Sequence, residues 1–116
     1  MKTHTRHAVA NIAGRMASGR TSSSVYDYQE SRHVNMSGNL SGGSISAYDY
    51  DQRCHITGSR TSLYHYGNRA HLSLKLNDAK FSGYDYDSRA HFSGSVNGKN
   101  VSLYDYETGR YYNFLI

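Results

Sequence analysis

The chain has 116 residues, enough for one small domain, and its Leu, Ile, Val and Phe total only 19, close to the level at which chains fail to build a core. Twelve tyrosines offset that shortage, since each buries a large ring while keeping its hydroxyl wet. The net charge of +4 comes entirely from Lys2, Arg6, Arg15 and Arg20; beyond residue 24, nine basic residues balance nine acidic ones, which excludes a broadly basic nucleic-acid footprint there.

Residues 1–22 read as a basic N-terminal arm. Within it, residues 7–17 carry Val9, Ile12, Ala13 and Met16 at helical spacing. Gly14 costs that helix about 1 kcal/mol against Ala, so it needs a surface to pack on. The run AVANIAGRMA is broken by Asn11, Gly14 and Arg15, so no secretory signal is evident. No apolar run reaches the roughly 18 residues of a membrane-spanning helix, and the compartment stays open. A single cysteine, Cys54, allows no internal disulfide.

Residues 23–116 form a tyrosine-rich repeat domain. Tyr-Asp-Tyr stands at 26–28, 48–50, 84–86 and 104–106, with Tyr-His-Tyr at 64–66. The period of about 20 residues is that of a β-hairpin with its return turn. Turn signals fall at Gln29-Glu30, Asn39 to Gly42, Asp51-Gln52, Ser59-Arg60, Gly67-Asn68, Asn77-Asp78, Asp87-Ser88, Asn97-Gly98 and Glu107-Thr108. Two-residue turns at these places pin the pairing on either side. The expectation is an antiparallel meander of about ten strands.

In that register one row runs Tyr26, His33, Tyr48, His55, Tyr64, His71, Tyr84, His91, Tyr104 and Tyr111. Beside it lie Arg53, Arg69 and Arg89 among further tyrosines, and on the other side a row of serines that includes Ser73, Ser82, Ser93 and Ser102. The opposite face is aliphatic, because side chains alternate along a strand. It carries Val25, Val34, Ile56, Leu63, Leu72, Phe92 and Leu103. The rows show almost no stagger, and closing a barrel needs stagger. An open, twisted or folded-over sheet is therefore expected, with a closed β-barrel as the alternative.

The runs YDYDSRAHFSGSVNGKNVSLYDYETGR and YDYDQRCH resemble the YD repeats of Rhs-type proteins, over residues 26–116. The resemblance implies repeated hairpins and no particular function. Gln29 and Gly67 depart from its acidic pattern, and five repeats are too few for the large shells that family builds.

The row histidines do not suggest a metal centre. Successive ones lie about 9–10 Å apart across an intervening strand, too far to share an ion. Asp49, Asp85 and Asp105 fall on the aliphatic face near the turns, where Arg32 and Arg110 offer ion pairs. No nucleophile–base–orienter set emerges, Cys54 reads as a small packed residue, and neither an enzyme nor a cofactor is expected.

The Tyr/His/Arg/Ser face suits an extended ligand. Tyr48, His55, Tyr64, His71, Tyr84, His91 and Tyr104, with Arg53, Arg69 and Arg89, are the candidate ligand-binding residues. A glycan fits best, lying on aromatic rings and bonding to hydroxyls. Single-stranded nucleic acid ranks behind it because the sheet is charge-neutral. The alternative is a structural protein that assembles with copies of itself.

Overall fold

The computed structural model describes residues 1–116. An N-terminal helix, α1 (Thr3–Ser18), precedes β1 (Ser24–Asp27), β2 (Arg32–Asn39), β3 (Ser44–Asp49), β4 (Cys54–Ser59), β5 (Ser62–His65), β6 (Ala70–Ser73), β7 (Lys75–Asn77), β8 (Lys80–Asp85), β9 (Ala90–Asn97), β10 (Asn100–Asp105) and β11 (Arg110–Leu115). Leu74 interrupts one stave between β6 and β7, and β8 pairs with both pieces. The protein is mainly β, an antiparallel meander with a short N-terminal helix, and the sheet closes into a ten-stranded barrel. Closure runs through β1 against β11 and through β6 against β8.

Closure corrects the open-sheet expectation, and the correction lies in the return turns. Within each repeat the pairing is as expected: Tyr26 opposes His33, Tyr48 opposes His55, Tyr64 opposes His71, Tyr84 opposes His91, and Tyr104 opposes Tyr111. Between repeats the strands slip. Tyr104 opposes Ser93 rather than His91, and Tyr64 opposes Thr57 rather than His55, slips of two residues. Tyr48 opposes Ser37 rather than His33, a slip of four. The fourth return turn shows the cause: Asn97 pairs with Asn100, so the loop is Gly98-Lys99, with positive φ at Gly98, and not Asn97-Gly98. These slips supply the shear that a closed barrel requires.

The lumen is filled by α1. Every residue from Thr5 to Gly14 is buried, on all sides of the helix, a pattern that belongs to a helix enclosed by protein rather than laid on a surface. The helix begins earlier than the expected 7–17 segment, and the first 22 residues are not a free basic arm. Ala8, Val9, Ile12 and Ala13 meet Val25, Val34, Ile56, Leu63, Leu72, Phe92, Leu103 and Phe114 in one core. Gly14, which weakens the helix in isolation, is required in place. A Cβ there would stand 2.8 Å from both Val101 and Ile116.

Two further glycines fit the same wall. Gly83 opposes Phe92 and Gly94 opposes Phe81, so each inward phenylalanine covers a neighbour that has no side chain. A Cβ at Gly94 would lie 2.3 Å from the Phe81 ring. The middle residues of the five Tyr-x-Tyr copies are also buried, and Asp27, His65 and Asp105 meet the N-terminal end of α1.

Candidate functional site: an inner polar ring and an outer groove

Asp27, Asp49, His65, Asp85 and Asp105 form a ring at one end of the lumen, each 0–2% exposed. Each belongs first to its own turn. The Asp27 carboxylate accepts the backbone N–H groups of Gln29 and Glu30, and Asp49 accepts those of Asp51 and Gln52. Asp85 and Asp105 accept the N–H two residues on, and His65 Nδ1 accepts that of Asn68. Asx-type bonding of this kind holds a four-residue turn whose last member has positive φ, namely Ser31, Arg53, Arg69, Arg89 or Gly109. This is why the Tyr-x-Tyr unit recurs with Asp at its centre.

The second oxygens of Asp27 and Asp105 meet the N-terminal segment, whereas that of Asp85 accepts from the Ser88 hydroxyl in its own turn. Arg6 donates to Asp105 at 3.2 Å while lying 3.8 Å over the Tyr112 ring, and His7 Nε2 sits 2.7 Å from Asp27. Burial raises the Asp27 pKa, but the hydrogen bonds from His7, Gln29 and Glu30 outweigh it and hold the carboxyl below its ordinary range. The amino group of Met1 bonds Asp105 at 3.0 Å and also Glu107. The positive end of the helix dipole adds to the same complementarity. The expected partners Arg32 and Arg110 take no part; Arg32 pairs with Asp51 on the exterior at 2.8 Å.

One ring member differs. His65 is pushed down to about 4 by burial and by nearby His4, whose ring centroid is 5.1 Å away. It is therefore neutral at physiological pH, with the proton on Nε2 because Nδ1 accepts from Asn68. Asn68 in turn bonds His4 and Thr5 of the helix, both at 2.7 Å. Cys54, opposite Asp49, is half-buried, and burial pushes its thiol up, away from nucleophilic thiolate character. The ring is a set of turn caps and helix anchors.

The exterior carries the tyrosines. In four repeats a Tyr and a His lie 4.7–4.8 Å apart across the hairpin, at Tyr26–His33, Tyr48–His55, Tyr64–His71 and Tyr84–His91. Tyr104–Tyr111 takes the same form at 4.8 Å. The second tyrosine of each unit packs edge-on against the first at 4.8–5.0 Å. Tyr28, Tyr50, Tyr66, Tyr86 and Tyr106 are thereby held more than half exposed as a collar around one rim.

The slips break the expected continuous ladder into diagonal steps. Tyr66 donates its N–H to the carbonyl of His55, Tyr86 to that of His71 and Tyr106 to that of His91, so these three histidines meet the second tyrosine of the next repeat rather than the first, while Tyr50 bonds Asn35 instead of His33. Arg53, Arg69 and Arg89 sit in the turns beyond the strand ends, exposed at the rim in left-handed conformation. All ten candidate residues are external, but they do not form one straight row.

Three of them, Tyr84, His91 and Tyr104, line two adjoining grooves on the outer wall over β6 to β11, of about 510 and 590 Å³. Tyr48, His55, Tyr64 and His71 lie on the remaining staves. The floor was missed in the sequence. It is the row Lys75–Ser82–Ser93–Tyr104–Tyr111, joined strand to strand by direct opposition. The small side chains of Ser82 and Ser93 cut a trough between Tyr84 and His91 on one side and Lys80, Ser95 and Ser102 on the other. Five strands at about 4.8 Å spacing make the trough about 19 Å long. The readable signal was the serine row on the aromatic face: small residues flanked by large ones make a depression.

No protein-family model, curated protein or solved structure matches the chain. The site is therefore read from its own geometry.

Proposed function

We propose that the protein is a non-enzymatic binding module that takes an extended glycan along its outer groove. The observation that carries this reading is the trough itself. Its floor is serine hydroxyl, and tyrosine rings stand at one wall and at one end. Rings beside hydroxyls are what a sugar chain uses, its apolar faces lying on rings and its hydroxyls bonding to short polar groups. The groove is built on strands, each ring fixed by an edge-on neighbour, so little is lost in ordering it on binding. The nine basic and nine acidic residues beyond residue 24 argue against a nucleic acid, which would demand an excess of cations.

Backbone strain supports a role for the rim as well. Arg53, Arg69 and Arg89 hold left-handed φ of 54°, 53° and 59° where the fifth repeat has Gly109. A non-glycine residue pays a conformational penalty of about 1 kcal/mol there, and three exposed cations beside the tyrosine collar give that cost a use in binding.

The test is an NMR titration with neutral and acidic oligosaccharides and with oligo-dT, following tyrosine and histidine ring signals. Perturbation of Tyr84, His91, Tyr104 and Tyr111 by a glycan is the expected result. Signals that stay still with every glycan would refute the reading.

A second reading, assembly with copies of the chain, draws on the collar of exposed tyrosines. Barrel closure removes the free strand edges that would drive stacking, and α1 occupies the aliphatic face. Self-association would have to use the outer wall. Light scattering across a concentration series separates the two, since the glycan reading expects a monomer.

A further inference from the structure

The lining of the groove carries charge of one sign only. Lys75 and Lys80 both border it, and no aspartate or glutamate does. Neither ammonium takes part in an ion pair; the six of the chain involve Met1, Lys2, Arg6, His7 and Arg32. Lys75 stands directly opposite Ser82, and Lys80 opposite Ser95. Each cation therefore adjoins a hydroxyl at the groove floor. The aromatic end lies across the sheet, where Ser93 opposes Tyr104 and Tyr104 opposes Tyr111. The trough thus has a cationic end and an aromatic end, with serines between.

Resting on the glycan reading above, we propose that the ligand is an acidic glycan, a chain bearing carboxylate or sulfate groups. An anionic substituent meets Lys75 and Lys80 while the sugar rings lie toward Tyr104 and Tyr111. The overall neutrality of the barrel makes this a local match of charge, which serves specificity more than raw affinity. Two solvent-accessible lysines act as point charges, so the preference is salt-sensitive.

Calorimetric titration at low salt with tetragalacturonate, a sulfated tetrasaccharide and a neutral galactose tetramer tests this. The acidic chains are expected to bind about tenfold tighter than the neutral one, a difference of about 1.4 kcal/mol supplied by two partly screened pairs together. Lys75→Gln with Lys80→Gln, on side chains that take part in no ion pair, should abolish the preference, bringing the acidic chains down to the affinity of the neutral one measured on the same variant. Tyr104→Ala should weaken all three alike. The carboxylate and sulfate arms report which anion is preferred.

Equal affinity for acidic and neutral chains, or a preference that survives the double lysine variant, overturns the acidic assignment and leaves the glycan reading standing. Absence of binding to all three sugars overturns both. Oligo-dT binding more tightly than the acidic sugars, through the same lysines, also overturns the assignment.

Discussion

Replacing Ile12 by Ala tests whether α1 runs through the barrel. Ile12 is fully buried on a helix whose neighbours Val9, Ala10, Asn11 and Ala13 are also 0% exposed, so no direction exists in which the site could relax toward solvent. Deleting three carbons forfeits about 2.4 kcal/mol of transfer free energy at about 0.8 per methylene. The cavity left between helix and wall raises the total to about 3–4 kcal/mol. Helix propensity returns only a few tenths of that, since Ala is the better helix former. With a urea m-value of about 1.5 kcal/mol/M, the unfolding midpoint should fall by about 2 M. Urea titration followed by circular dichroism measures it. A loss below about 1 kcal/mol would refute the enclosed helix, because a helix resting on the outside would tolerate the change.

The ring gives a pH dependence whose sign follows from His65. Its folded pKa of about 4 lies below the 6.5 of an unfolded histidine, so the unfolded chain takes up the proton first. Stability should be full above pH 6.5 and fall by up to about 1.4 kcal/mol per pH unit toward pH 4; urea midpoints at stepped pH should slope accordingly, and His65→Gln should flatten them. Asp27, held low, adds its own loss only at still more acid pH. Asp27→Asn removes the partner of a buried His7 at 2.7 Å and should cost about 2–4 kcal/mol. Combined with His7→Gln it should cost less than the sum by about 0.5–3 kcal/mol, a coupling that a double-mutant cycle reads and that strict additivity would disprove. Arg89→Gly relieves a left-handed φ of 59° and should raise stability by about 1 kcal/mol in thermal unfolding; a destabilised variant would show that the arginine side chain holds the turn.

The hairpins were legible because the Tyr-x-Tyr turns are short and their alternation is strict. The return turns were not, for a reason inherent in strands. A slip of one residue turns every side chain to the wrong face, and the hydrophobic pattern forbids it. A slip of two leaves both faces unchanged, so Tyr104 opposite Ser93 and Tyr104 opposite His91 look equally sound in sequence. Those slips carry the whole of barrel closure and turn a straight aromatic row into steps. The helix was legible only as a stripe of Val9, Ile12, Ala13 and Met16. The burial of Arg6, His7 and Asn11 was not legible, because it depends on inward acids and carbonyls more than ten residues away along the chain. The inward direction of Asp49, Asp85 and Asp105 followed from parity, yet their partners proved to be groups of their own turns, joined at Asp105 by Arg6 of α1 and the Met1 amino group, rather than neighbouring arginines. Of the groove, the rings and the serine row were visible separately, and only the true register places Lys75, Ser82, Ser93 and Tyr104 in one line.

Amide hydrogen exchange of α1, residue by residue, tests the enclosed helix most directly. The amides of Ala8 to Ala13 should exchange only through global unfolding, with the same free energy as the core strands around Leu72 and Leu103. Exchange of those helical amides well ahead of the strands, as from a helix lying on the surface, would contradict a barrel closed around its own N-terminal segment.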